Sequence, residues 1–352
     1  MTSADFTSQV VTLDDDSLEA VYDFACDQGW IDGLPIIPPT RERVERMVAG
    51  AGRDPGDVVA DIPPNSAPAT VEKVAINAVM AGCKPEYMPL VVTAIEACAD
   101  PAFNLYALNT TTSSVSPLLI VNGPIRNELK INCGYSLFGG GNFRANATIG
   151  RAVRLCMRNI GGAIEGIVSK STMGNPGRIT ACIGEWEEKS PWPPLHVQRG
   201  LALEQSAVTV FGSQGTLNLQ DVECKSAAGL LGVLAHSIDM PATNKFLGRA
   251  EKGEIVLVLC PDFAYIVARD GWSVDDAKEF LLEETKATPL SRFPEELHSY
   301  MEERGRIVNG VVPLAARPDQ FILVVGGGLG GLHAIACHPF AETTAVTRAI
   351  PA

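Results

Sequence analysis

Basic charge is scarce in this sequence: 28 lysines and arginines stand against 41 aspartates and glutamates, for a net charge of −13. A phosphate backbone needs a basic footprint, so non-specific nucleic-acid binding is disfavoured. Long apolar runs are also missing, and nothing approaches the roughly 18 to 20 residues of a membrane span. The opening MTSADFTSQVVTLDDDSLEAV has neither the basic nor the apolar region of a signal peptide. The nine cysteines are scattered, odd in number and never spaced C-x-x-C, which argues against a disulfide framework or a zinc ribbon. No G-x-x-x-x-G-K-[ST] occurs, so a Walker-type phosphate loop is excluded. These absences describe a reduced cytoplasmic protein with neither nucleic acid nor membrane as partner.

What is present is a regular alternation. Four β-branched apolar runs, SPLLIVNGPI (116–125), AVTVFGSQG (207–215), EIVLVLCPD (254–262) and QFILVVGGGLGG (320–331), each stop at Gly or Pro as buried strands do. Helical spacing marks residues 15–28, a helix through Val48 capped by Thr40, two helices split near Gly82–Pro85, one from about Asn146, and further ones over 222–237 and 273–285. The last of these has Ser273 as cap with Asp276 three residues on. The expected fold is α/β, with two βα-rich halves around a central cleft and an N-terminal arm or small subdomain. The boundaries are 1–68 for the arm, 69–200 for the first half and 201–352 for the second.

Three stretches carry chemistry. In LFGGGNFRANATIGRAVRL (137–155), Gly140 and Gly141 precede a helix whose free N–H groups and dipole favour an anion. Arg144 and Asn146 stand at its start, and Arg151, Arg154 and Arg158 form a stripe opposite Ile149, Val153 and Ile160. The segment GEWEEKSPWPPLHVQRG (184–200) gathers Glu185, Glu187, Glu188, Trp192, His196 and Arg199 in a Pro-rich loop, and a carboxylate beside His196 would make it a general base. The third, VVGGGLGGLHAIACHPF (324–340), has G-G-G-x-G-G in place of the dinucleotide spacing G-x-G-x-x-G. There Gly328 and His333 are candidate substrate contacts. If the segment is helical, His333 and Cys337 share a face, and with His338 they form an alternative transition-metal set. Cys133, just before the anion loop, is a candidate nucleophile. Asn122 and Arg126, at the end of VNGPIR, are candidate polar contacts, and Asp32 in the DGLP turn is most simply a turn residue.

Several blocks taken together, DGLPIIPPT, AGCKPEYMPLVVTAIEA, NGPIR, GNFRANATIGRA, SPWPPLHVQRG and PDFAYIVARDGWS, resemble a family of bacterial proteins. That family is associated with small proteins carrying a Cys- or selenocysteine-Gly-Ser-Cys motif, and the resemblance runs from about residue 30 to 335. It implies motif positions at Asn122, Arg144, Asn146, Arg151, Trp192, His196 and Arg199, and a possible small redox partner protein. The nearest approach to the partner motif here is Cys133-Gly134-Tyr135-Ser136, so a redox role needs a second polypeptide. The expectation from the residues is an enzyme, a lyase or hydrolase rather than an oxidoreductase. It is expected to be a homo-oligomer and to act on a small anionic metabolite without a cofactor. Arg144 and Asn146 would hold the anion and His196, helped by Glu185, would move a proton. That scheme needs Gly-rich segments 139–141 and 326–331 to face one cleft.

Overall fold

The computed structural model describes residues 6–351. A hairpin of β1 (Val58–Ile62) and β2 (Ala67–Thr70) precedes two four-stranded mixed sheets. The first contains β3 (Ser116–Asn122), β4 (Cys182–Gly184), β5 (Ala207–Ser213) and β10 (Val346–Ala349), in the order β10-β5-β3-β4. The second contains β6 (Leu217–Gln220), β7 (Ile255–Leu259), β8 (Phe321–Val325) and β9 (His333–Cys337), in the order β6-β9-β7-β8.

The two sheets are wired alike. In the first, β3 leads through the helix Arg144–Asn159 to its parallel neighbour β4, and β5 returns antiparallel on the other side of β3. In the second, β7 leads through helices Pro261–Arg269 and Val274–Glu284 to parallel β8, and β9 returns antiparallel beside β7. The closing strand of each is exchanged: β6 follows β5 in the chain but pairs with β9, while β10 follows β9 but pairs with β5. The sheets therefore do not divide at residue 200, because β5 and β10 both lie beyond it and complete the first sheet.

Side-chain alternation stacks the layers. On β3, Leu118 and Ile120 face the second sheet, where they meet Val256 and Val258 of β7 and Ile322 and Val324 of β8. Leu119 and Val121 face the other way, onto helices Val71–Ala81, Met88–Cys98 and Arg144–Asn159. Ile255, Leu257 and Leu259 likewise pack on helices Ala227–Ile238, Pro261–Arg269 and Val274–Glu284. The result is helix, sheet, sheet, helix, with strands buried on both faces, as their continuous apolar runs require. The space between the sheets is thus a packed apolar seam.

Val44, Met47, Val48 and Ile62 lie in the first core, so helix Arg41–Ala51 and β1 belong to that half. Phe6 and Ile36, from the segment before them, also pack against that core. The Ser273–Asp276 capping box forms as its spacing demands. Among the described residues, no helix is long and apolar enough to cross a membrane.

Gly150 sits mid-helix, where glycine costs stability. Its reason is contact: a Cβ there would lie 2.6 Å from Thr180 Oγ1 and 2.7 Å from the Ala181 amide nitrogen. Gly150→Ala is expected to destabilise by roughly 1–3 kcal/mol through overpacking, measured as a lower denaturation midpoint. An unchanged midpoint would mean that helix and loop separate without cost.

Candidate functional site

The carboxyl ends of a parallel pair are where open α/β sheets place ligands. In both sheets the parallel ladder runs one bond past the last strand residue. Glu185 N–H donates to the Val121 carbonyl at 3.2 Å, and Gly326 N–H donates to the Leu259 carbonyl at 3.0 Å. Glu185 and Gly326 therefore occupy equivalent positions, and only the first half supplies an acid. The two ends interlock, since Trp186 N–H donates to the Val325 carbonyl at 2.7 Å and Gly327 N–H to the Cys133 carbonyl at 2.9 Å. Tyr135 lies over Gly328, where a Cβ would come 2.2 Å from its ring, and its hydroxyl donates to the Leu329 carbonyl at 3.2 Å. The two Gly-rich segments thus meet through Cys133–Leu137.

Alternation along β4 turns Glu185 into the inter-sheet layer, as it turns Asn122 at the end of β3. Both are buried, at 2% and 0% exposure. Glu185 Oε2 accepts from Asn122 Nδ2 at 2.7 Å and from Leu195 N–H at 2.8 Å. Burial pushes this carboxyl up to about 7, against the lowering effect of those two donors. A carboxyl so shifted changes protonation near neutral pH.

Around it lies a tighter ion cluster. Glu187 Oε1 accepts from Gly123 N–H at 2.7 Å and from Asn122 Nδ2 at 3.1 Å, and stands 3.8 Å from Arg126 Nε. Arg126, almost wholly buried, donates to Glu188 Oε1 at 2.6 Å and to Cys133 Sγ at 3.3 Å. Burial outweighs the neighbouring guanidinium at Cys133 and raises its thiol, so this cysteine is not an activated thiolate. Asn122 Oδ1, Arg126 Nε and His196 Nδ1 are buried without a hydrogen-bond partner.

A cavity of about 280 Å³ lies further along the first sheet, toward the start of β3 and the end of β5, and none of the cluster residues lines it. Gly139, Gly140, Gly141, Phe143, Asn146 and Ala147 line it from the helix start, and Leu118, Leu137, Thr180, Ile183 and Ser213 line it from the seam and sheet edge. Ile183 and Glu185 are two residues apart on one face of β4 and its extension, which is roughly 7 Å. Glu185 itself is not among the lining residues. No side chain caps the helix start, where the Arg144, Ala145 and Asn146 amides have no intrahelical acceptor.

The expected anion-binding side chains are otherwise engaged. Arg144 donates from Nε to the Gly82 carbonyl at 3.0 Å, closing the C-terminus of helix Val71–Ala81, where cations are favoured. Asn146 spends both ends of its amide, accepting from Asn132 N–H at 2.8 Å and donating to the Asn132 and Cys182 carbonyls at 3.1 and 2.9 Å. It fixes loop to strand while still facing the cavity. Arg151 grips Asp32 with two bonds of 2.8 and 2.7 Å and also reaches the Leu34 and Pro35 carbonyls, so it pins the DGLP turn. Arg154 is buried against the Arg178 carbonyl, and Arg158 pairs with Glu165. The arginine stripe is thus a set of tethers.

His196 is wholly buried, with Nε2 3.4 Å from the Leu203 carbonyl oxygen. Its Nδ1 is buried without a hydrogen-bond partner. No hydrogen bond joins His196 to a glutamate, and it is the neighbouring Leu195 N–H that meets Glu185. Trp192 packs into the second core and donates to the Trp272 carbonyl at 3.1 Å, and Arg199 leads away to Glu254 at 3.9 Å.

The C-terminal metal set fails on geometry. Residues 333–337 are strand β9, so His333 and Cys337 are separated by roughly 13 Å of extended chain and His338 points to the opposite face. Cys337 is buried, with its thiol pushed up to about 12, while His333 is exposed. Among the described residues, no group of three or more His, Cys, Asp or Glu side chains is arranged to hold a metal ion.

Glu187 and Glu188, grouped with Glu185 by the sequence, both contact this cluster through Asn122, Gly123 and Arg126. The cavity wall from Thr180, Ile183 and Ser213 had no local signal at all. No protein-family model matches the chain, and no curated protein matches it.

Proposed function

We propose that the chain is an enzyme that acts on a small carboxylate-bearing metabolite by acid–base chemistry, of the lyase or hydrolase type, with Glu185 moving the proton. The observation that carries this reading is the Glu185 carboxyl itself, buried, held by two donors, and titrating near 7 about two residues beyond a cavity wall. A general acid or base works best when its pKa lies near the operating pH.

The substrate class follows from the charges. The inner cluster holds three carboxylates, Glu185, Glu187 and Glu188, against one guanidinium, Arg126, so it repels an anionic group. The helix start is the favourable end for negative charge, with uncapped amides and glycines that let backbone approach a ligand. A metabolite bound by its carboxylate there would present its other end toward Glu185. The acid would then protonate a leaving group, or its ionised form would remove a proton next to a carbonyl.

Melting of the purified protein across a panel of small carboxylates (acetate, lactate, malate, succinate) tests the binding half of this reading. At least one is expected to raise the melting temperature in the wild type and not in Ala147→Trp, whose indole would fill the cavity from an exposed helical position. A shift that survives in Ala147→Trp would place the ligand elsewhere.

A further inference from the structure

The second half buries two cations for which the proposed reaction has no use. Lys245 and Arg306 are both fully inaccessible to solvent. Lys245 Nζ donates to the Lys252 and Gly253 carbonyls, each at 2.8 Å. Arg306 Nη2 donates to the Pro313 carbonyl at 2.7 Å, while its Nε and Nη1 are buried with no acceptor. The guanidinium lies 5.7 Å from the centre of the Phe246 ring, the residue next to Lys245, and is near enough to act on the Lys245 charge. Among the described residues neither cation forms an ion pair. Glu254, the acid that acts on Lys245, is committed to the Ala345 N–H at 3.1 Å, and Glu251, the acid that acts on Arg306, does so without forming an ion pair with it.

Leaving a buried charge without a counter-charge costs several kcal/mol, and each orphaned N–H adds its own desolvation cost. Carbonyls supply only partial charge. Burial, followed by the nearby Arg306 charge, pushes the Lys245 ammonium down to about 7, and burial lowers Arg306 to about 10. The guanidinium therefore stays charged across the physiological range.

We infer that Lys245 and Arg306 form an internal binding site for a small monovalent anion of the halide class, received by the free Nε–H and Nη1–H of Arg306 beside the Lys245 ammonium. The enclosure selects the class. Phe246, Phe293, Met301, Val312 and Leu314 of the surrounding core are all buried and offer an oxyanion no further donors. A monatomic ion needs no directed partners beyond the two N–H groups and sheds its water more readily than a doubly charged anion. The site lies in the second core, away from Glu185 and the cavity, so it supports the fold and stands whether or not the proposed reaction is correct.

The test is thermal melting of the full chain in sodium chloride, sodium bromide and sodium gluconate at one ionic strength, so that general screening is constant. Chloride and bromide are expected to raise the melting temperature over gluconate by on the order of 3 °C at a hundredfold excess over Kd. The difference should vanish in Arg306→Leu. Equal melting in all three salts would overturn the inference, and so would a halide effect that persists in Arg306→Leu. Should that variant not fold, anomalous scattering from wild-type crystals grown in bromide decides. A bromide peak within hydrogen-bond distance of Arg306 Nε and Nη1 supports the site, and no peak there overturns it.

Discussion

Glu185→Gln is expected to be more stable than the wild type at pH 8 and to have lost about a hundred- to ten-thousandfold in turnover, the usual range for removing a general acid or base. Both effects have one cause. The folded state raises the carboxyl from 4.5 to about 7, which corresponds to about 3 kcal/mol. The folded protein holds a proton at Glu185 that the unfolded chain gives up above the ordinary glutamate range. Stability contributed by this group is therefore complete below about pH 4.5 and lost as pH rises through about 7. Glutamine accepts the Asn122 and Leu195 hydrogen bonds through its carbonyl oxygen and never ionises, so it escapes the loss. Denaturant melts of both proteins at pH 5 and pH 8 read the effect, with the gap opening at the higher pH. A variant less stable than wild type at both values would mean that the carboxylate is ionised and stabilising in the fold.

The second large effect is where Arg151, midway along helix Arg144–Asn159, meets Asp32. Asp32→Asn removes the carboxylate that meets Arg151 through two short bonds and leaves a guanidinium that is only 11% exposed without its counter-charge. Such a loss costs about 3 kcal/mol, and it should be local. Residues 32–35 are held by Arg151 through Asp32 and the Leu34 and Pro35 carbonyls, so proteolysis within this turn is expected to quicken before the global transition. Burial alone would raise the Asp32 carboxyl, but the Arg151 bonds outweigh it and hold it below the usual carboxylate range. The sign is opposite to that of Glu185: this contribution is present above the ordinary aspartate range and lost as pH falls through the depressed value. Arg151→Lys is not expected to rescue the turn, because an ammonium cannot form the paired bonds of a guanidinium. Unchanged proteolysis in Asp32→Asn would show that the arm is held by its other contacts.

The strongest strands were legible because each carries its information locally. The runs at 116, 207, 254 and 320 are apolar on both faces and end in Gly or Pro, and they became β3, β5, β7 and β8. Helix Arg144–Asn159 was legible from its spacing, starting two residues before Asn146 because Arg144 and Ala145 already turn helically. Short strands escaped. The three residues of β4 have no period to read, and HAIAC looked helical although Ala334 and Ala336 alternate with Ile335 and Cys337 as a strand requires. The exchange of β6 and β10 between sheets has no local signature, since each strand pairs with partners more than a hundred residues away.

The site was legible by place more than by role. Sequence brought Asn122, Arg126, Cys133 and Glu185 forward one at a time, and the fold gathers them. It gave the proton to His196 because imidazole ordinarily titrates near neutrality. What lifts Glu185 into that range is the second sheet packed across it, which no residue near 185 reveals. Arg144 was misread for the same reason, its carbonyl partner lying 62 residues earlier at Gly82.

The carboxyl carbon resonance of Glu185, assigned by its loss in Glu185→Gln and followed by NMR from pH 4 to 9, tests the central claim most directly. A midpoint near 7 is the result predicted here, and it would leave Glu185 as the group that moves the proton. A carboxyl fully ionised by pH 5 would contradict the account and return the search for a proton carrier to His196.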